Sequence, residues 1–288
     1  MRFSARSLPV GVSPLFDALL FVVVTIALSW LFWAPAALLQ ANGATEVANV
    51  LFAIGSFAPL AVAVYLNLWA RRRMFEWGRW LRSLRLNTIL VALVLPVLIL
   101  IPMILWRLYD QTFDLLQLLA DLRGLPLLLL GLFILAFGEE VGWRGFMLAR
   151  LERYKLVLVN GAIALAWFVW QIPRVLADRH DVFLNDGLLH LAAFLSFSML
   201  ITPFLNRMAL RSDMNVFLPA LLRASLNAAF SLYALQQPVD LRTYWLGTGM
   251  LVWLVILNVL LFGQLWLGRP AQEDSELARV MPLEPAIK

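Results

Sequence analysis

The chain has 288 residues, of which 62% are hydrophobic and 14% charged, well outside the soluble averages of roughly 45 to 50% and 25%. It carries no cysteine and two histidines, which excludes disulfides, thiolate ligands and a cysteine nucleophile, and leaves little for a histidine-rich metal site. The net charge of +5 is almost all arginine, and it falls between apolar runs, where it reads as membrane topology and not as a nucleic-acid surface.

The apolar runs predict an all-α integral membrane protein of about eight transmembrane helices. Leu15 to Leu39 is long enough to cross about 30 Å of hydrocarbon and too long for a signal-peptide core, so it reads as a retained first span. A polar turn at Asn42-Gly43 leads to a second span, about Val47 to Ala70. Six arginines between Arg71 and Arg85 then mark a cytoplasmic loop by the positive-inside rule. Its tryptophans also suit an interfacial segment on anionic lipid. Thr88 to Tyr109 is the third span, kinked at Pro96 and Pro102. Asp110 to Arg123 is acidic and amphipathic, fitting an outer interfacial helix. The fourth span runs from about Pro126 to Arg150, the fifth from Leu156 to Leu176, the sixth from Leu188 to Arg207, the seventh from Val216 to Leu235, and the eighth from Tyr244 to Leu267. Eight spans put both termini in the cytoplasm, consistent with the arginines at 71–85, 150–155, 207–211 and 269. The expected division is residues 1–123 as the first three spans with the interfacial helix, 124–235 as a core of spans four to seven, and 236–288 as the last span and tail.

Inside the fourth span the sequence Phe137-Gly138-Glu139-Glu140-Val141-Gly142-Trp143-Arg144-Gly145 places two carboxylates and an arginine where ionised groups are costly, by roughly 2.5 to 3.5 kcal/mol each on insertion scales, and therefore functional by default. Glu140 and Arg144 are four apart, on one helix face. Helix arithmetic brings other polar groups to that depth: Glu139 and Gln171 each lie sixteen residues from a turn near Lys155, or about 24 Å, and Arg223 and Asn227 lie roughly 18 and 24 Å from a turn near Arg211. One reading is an active site. Another is a structural bridge between Glu140 and Arg144 with no chemistry.

Glu139-Glu140 with Arg144, then Trp167-Phe168-Val169-Trp170-Gln171, then Arg223-Ala224-Ser225-Leu226-Asn227 resemble the EExxxR, FxxxH and HxxxN motifs of the CPBP family, the CAAX-protein endopeptidases and bacteriocin-processing (Abi) membrane proteases. The resemblance covers about Gly124 to Phe230. It implies an eight-helix intramembrane-protease fold and hydrolysis of a peptide bond in a membrane-associated substrate, with water activated by the first glutamate and a histidine, directly or through a metal such as zinc, and the oxyanion held by the HxxxN pair. Carried over, Glu139 is the base, Glu140 and Arg144 an orienting pair, and Asn227 an oxyanion donor. Both motif histidines are replaced: Gln171 stands at the first and Arg223 at the second, and Trp167 stands in the phenylalanine place.

Neither substitute accepts a proton near neutral pH or makes a good metal ligand, so no cofactor is expected. Two readings stay open. In one, Arg223 pairs with Glu139 and turns the site into an ion network in an inactive pseudoprotease of binding or immunity type. In the other, Arg223 replaces the oxyanion-binding histidine while Glu139 alone activates water. His190, near the outer start of the sixth span, is the better of the two histidines to replace a lost imidazole, since His180 falls in the outer loop. The partners expected are membrane lipid and a membrane-associated peptide or protein, and the location is a bacterial inner membrane. A transporter or lipid-binding protein is the remaining class.

Overall fold

A computed structural model of the chain describes residues 13–69, 80, 83–84, 86–109, 114–177, 180–234, 249–250, 252–257 and 260. Among them the regular structure is entirely helical. Helix α1 is Pro14–Ala41, α2 Thr45–Ser56, α3 Ala58–Trp69, α4 Leu86–Tyr109, α5 Leu115–Asp121, α6 Leu125–Glu140, α7 Leu156–Ala177, α8 His180–Arg211 and α9 Phe217–Ala234. A π-helical segment, Val141–Leu148, continues α6 and passes into a last turn at Ala149–Leu151.

Among the described residues five helical stretches are long and apolar enough to cross a membrane: Pro14–Ala41, Thr45–Trp69, Leu119–Leu151, Leu156–Ala177 and Leu191–Arg211. Helices α4 and α9 stand where the third and seventh spans were expected, but their apolar stretches, Leu86–Leu98 and Phe217–Leu232, are shorter than a membrane crossing. The eighth, and the arginine-rich loop at 71–85, fall largely outside the described residues.

Local chemistry explains where the helices start and stop. Ser13 caps α1, its Oγ accepting from the Leu15 N–H at 3.3 Å, and Pro14 occupies the first turn, where its missing N–H costs nothing. The same helix ends at Gly43, whose φ of 81° suits a residue without a Cβ, as the Ala44 N–H returns to the Leu39 carbonyl at 2.9 Å.

The second span is not one helix, as expected, but two joined at Phe57. Pro59 is the reason: lacking an N–H, it leaves the Gly55 carbonyl without its helical donor. In hydrocarbon that acceptor must be satisfied by protein, and the Ser29 hydroxyl of α1 donates to it at 2.8 Å. Trp170 of α7 donates its Nε1–H to the same hydroxyl at 2.5 Å, and Trp33 donates to the Phe52 carbonyl at 2.9 Å. The same device recurs in α4, where Pro102 frees the Leu98 carbonyl and the Trp253 Nε1–H supplies its donor. Proline breaks thus become the points at which helices are tied together.

Two further boundaries differ from expectation. The interfacial helix α5 runs through a 3₁₀ turn at Leu122–Gly124 directly into α6. The sixth-span helix begins at His180, so His180 opens a helix and does not sit in a loop. An amphipathic extension of an apolar helix keeps its backbone bonds satisfied, and the hydropathy boundary does not mark that.

Helix α6 and its π-helical continuation are seated by close contacts. A Cβ on Gly138 would stand 2.8 Å from the Phe57 ring, and one on Gly142 would stand 2.5 Å from Pro59 Cβ and 2.8 Å from its carbonyl oxygen. These two glycines, one turn apart, bracket Glu139 and Glu140 and let the helix lie against the break in the second span, as small residues do in membrane packing. On the other side, Phe137 stacks on Phe217 at 5.1 Å, and Ala136 packs against Ala220 and Ala224 of α9. At the α8–α9 turn, Asn215 holds the Phe217 N–H at 2.8 Å through Oδ1, while its Nδ2 donates to the Trp80 carbonyl and to Ser83 Oγ.

The close approach at Gly142 predicts that Gly142→Ala destabilises the protein by about 1 to 3 kcal/mol through overpacking. Gly131→Ala, on the same helix with open space where its Cβ would stand, should be neutral or stabilising by up to about 1 kcal/mol through helix propensity. Thermal unfolding in detergent measures both, and equal destabilisation would contradict the assigned packing.

Candidate active site

Four ionisable side chains meet where α6, its π segment and α9 come together. Glu140 and Arg144 are fully buried, and Glu139 and Arg223 nearly so. Glu140 takes Arg144 Nη1 on both carboxylate oxygens, at 3.1 Å to Oε1 and 3.0 Å to Oε2. Arg223 Nη1 bridges the two glutamates, 2.5 Å from Glu139 Oε2 and 3.0 Å from Glu140 Oε1. With all four ionised, two negative and two positive charges cancel, which is the condition for holding them in a dry interior. Paired charges in such surroundings also form their strongest hydrogen bonds.

The π segment begins directly after Glu140 and contains Arg144. A π winding is a wider, uncommon turn that collects at functional positions, and here it carries the guanidinium that holds Glu140. Arg144 is fixed from its other side by a relay that crosses the bundle. Its Nε donates to Asn206 Oδ1 of α8 at 3.0 Å, and Asn206 Nδ2 donates to Asn160 Oδ1 of α7 at 2.8 Å. Each amide therefore has a defined orientation, set by the charge at one end.

Arg223 lies over the indole of Trp167, its Cζ 4.9 Å from the ring centroid, a cation–π arrangement that suits a planar guanidinium held away from water. Behind this pair lie two groups of packed aromatic rings. Trp167 meets Phe194 at 5.5 Å, and Trp170 packs on Trp33 at 4.6 Å and on Trp143 at 5.6 Å. Trp143 in turn stands edge-on to Phe21 of α1 at 5.3 Å.

The residues singled out in the sequence are thus distributed unequally. Glu139, Glu140, Arg144 and Arg223 form one connected cluster. Gln171 is buried, and among the described residues no hydrogen bond joins it to Glu139, so equal depth did not bring it into the charged network. Asn227, one turn beyond Arg223, is exposed and outside the network. His190 lies in α8 sixteen residues before Asn206, about 24 Å along the helix, and its side chain is outside those described. Asn206 and Asn160 join the centre, although neither is among the site residues expected from the sequence. The signal for Asn160 was available: a polar amide in an apolar span is costly unless a partner waits for it.

The donor set does not fit a metal. Glu139 and Glu140 give oxygens to Arg223, whose guanidinium has no lone pair to coordinate with. Among the described residues no three His, Cys, Asp or Glu side chains come together as a ligand group.

This helical fold, with membrane-length apolar helices and a carboxylate pair and arginine buried among them, is that of an integral membrane protein. Residues 121–229 match the model of the family described as type II CAAX prenyl endopeptidase Rce1-like. That segment, similar to the family, reaches from the end of α5 through most of α9, contains every member of the charged cluster and coincides with the part of the chain that carries the motif resemblance. No curated protein matches the chain.

Removing one member of the network leaves an uncompensated buried charge, so Arg223→Met should cost about 3 to 5 kcal/mol. In Glu139→Gln/Arg223→Met the charges balance again through Glu140 and Arg144, and much of that loss should return. Unfolding of the wild type, Arg223→Met, Glu139→Gln and the double variant in detergent gives the coupling energy, and simple additivity would exclude the shared network.

Proposed function

We propose that this protein uses a CAAX-protease-type membrane fold to bind a membrane-associated peptide without hydrolysing it. One observation carries the reading: Arg223 Nη1 lies on both glutamates, at 2.5 Å from Glu139 and 3.0 Å from Glu140. A general base needs a free lone pair within about 2.6 to 3.2 Å of the water it deprotonates. Here the carboxylate oxygen facing α9 is engaged by a cation that stays protonated.

The replacements at 171 and 223 support the same conclusion from the other side of the reaction. An imidazole can accept a proton from water and return it to a leaving amine, whereas the Gln171 carboxamide and the Arg223 guanidinium can do neither. What remains is a set of hydrogen-bond donors in a neutral, aromatic-lined centre, which is suited to holding a polar chain in hydrocarbon. The bacterial inner membrane, with the arginine-rich ends facing the cytoplasm, is the location this reading adopts, on the positive-inside distribution of residues 71–85 and 150–155.

Purified protein in proteoliposomes, incubated with a farnesylated CAAX-type peptide and with a library of membrane-soluble peptides, should give the same cleavage as Glu139→Ala and as protein-free liposomes. Cleavage that disappears in Glu139→Ala would overturn the proposal and assign Glu139 as an unaided base.

A further inference from the structure

Helix α8 ends in two arginines that the rest of the bundle does not use. Among the described residues no hydrogen bond or ion pair engages Arg207 or Arg211, which are four apart and so share one helix face. Arg207 is half-buried, and its Nε is enclosed with no acceptor, so the side chain is held by packing; Arg211 is exposed. Their charges act on one another. Like charges at this spacing destabilise a helix, and a guanidinium at the edge of an apolar bundle is costly without a counter-ion.

Among the described residues nothing offsets that cost. Asp17 pairs with Arg150 at 3.6 Å, and neither Glu152 nor Asp213 forms an ion pair with the two arginines. Helix capping does not require them. The Ala209 carbonyl accepts from the Ser212 and Met214 N–H groups at 3.2 and 2.8 Å, and the Met208 carbonyl accepts from the Ser212 hydroxyl at 2.6 Å. The helix C-terminus favours a cation in its last turn, but that attraction leaves the repulsion between two of them in place. Nor do they serve the charged centre: Asn206 faces the Arg144 relay, and Arg207 follows it about 100° further round the helix.

Position selects the anion. Arg211 closes the apolar stretch Leu191–Arg211, so it stands where hydrocarbon gives way to headgroups. Arg207 lies one turn deeper, about 6 Å, a distance that an arginine side chain spans when it extends toward the boundary. The Asn160–Asn206 bond sets the register of the antiparallel helices α7 and α8, and counted outward from that pair Lys155 comes level with Arg211, adding a third cation at this end. The anion available at this depth is the phosphate of a lipid. Two guanidiniums on one helix face offer it the parallel donors that phosphate oxygens accept.

We infer that Arg207 and Arg211 form a binding site for the phosphate of an anionic membrane lipid at the end of α8. The phosphate sits between the two guanidiniums, neutralises their repulsion and ties the helix that carries Asn206 to the headgroup layer. A zwitterionic lipid brings its own cation with the phosphate and so binds more weakly. The site is separate from the charged centre and does not depend on whether that centre hydrolyses peptides.

Full-length protein in a non-ionic detergent is titrated with dioleoylphosphatidylglycerol or dioleoylphosphatidylcholine, and bound lipid is read by native mass spectrometry. Phosphatidylglycerol should bind about 10-fold more tightly, as two arginines at an anionic headgroup allow. Arg207→Gln and Arg211→Gln should each weaken it by about 5-fold, while the unfolding temperature of the lipid-free protein stays close to wild type. Because Arg211 is exposed, its variant decides the outcome even where Arg207→Gln fails to fold. Arg153→Gln removes another exposed cation of this end, one that donates to the Tyr154 hydroxyl at 3.1 Å. It should stay within about 2-fold of wild type, as a cation outside the site. Inorganic phosphate at the lipid's own concentration should leave the lipid bound. Equal binding of the two lipids, wild-type binding by Arg211→Gln, an equal loss in Arg153→Gln, or displacement by inorganic phosphate would overturn the inference.

Discussion

The bundle is organised by a single nitrogen, Nη1 of Arg223, held between two carboxylates that belong to a different helix. In water such a contact is worth little, because solvent competes for every partner and salt screens the charges. Inside this protein solvent is nearly excluded, and the same contact fixes α9 against α6 because any displacement would separate buried charges. The network extends by one further step each through Arg144, Asn206 and Asn160, so that the helices carrying the fourth to seventh spans share one hydrogen-bonded path. Its closure is electrical as well as geometric, with equal numbers of each sign.

Around that path the apolar part of the structure is arranged so that the helices can come close enough. Gly138 and Gly142 let the motif helix rest on Phe57 and Pro59, and the alanines at 136, 220 and 224 do the same toward α9. Membrane helices gain little from burying one apolar surface rather than another, since lipid is equally apolar, and small residues and hydrogen bonds decide how they pair. The Ser29, Trp33 and Trp253 bonds to carbonyls at and near prolines, with Trp170 donating to the Ser29 hydroxyl, belong to this logic. They turn helix defects, which would be expensive in hydrocarbon, into fixed contacts between spans.

In the residue pattern of an intramembrane protease, replacing both motif histidines changes what the same scaffold can do. The two carboxylates have as their neighbour a permanent cation at the position where the resembled motif carries an imidazole. Under the proposed function, a site of the kind that moves a proton becomes one that holds its charges still. The aromatic wall of Trp167, Trp170 and Trp143 is compatible with either function, because exclusion of water serves tight binding as well as catalysis.

Most helices and the position of the charged centre were legible in the sequence, because hydrophobic run length reports membrane crossing and an ionised group in such a run has few harmless explanations. The same logic anticipated the pairing of Arg223 with Glu139. The break at Phe57 was not read, although Pro59 was visible, since proline in a membrane helix can kink or be absorbed according to what reaches its orphaned carbonyl. Equal depth put Gln171 opposite Glu139, yet contact depends on helix rotation, which rise per residue does not contain. Asn160 and Asn206 became part of the site for the same reason. The sequence by itself determined that charges are buried and how far along each helix they lie. Only the tertiary structure decided which of them touch, because contact is set by the rotation and separation of helices that glycines, alanines and satisfied backbone carbonyls bring together.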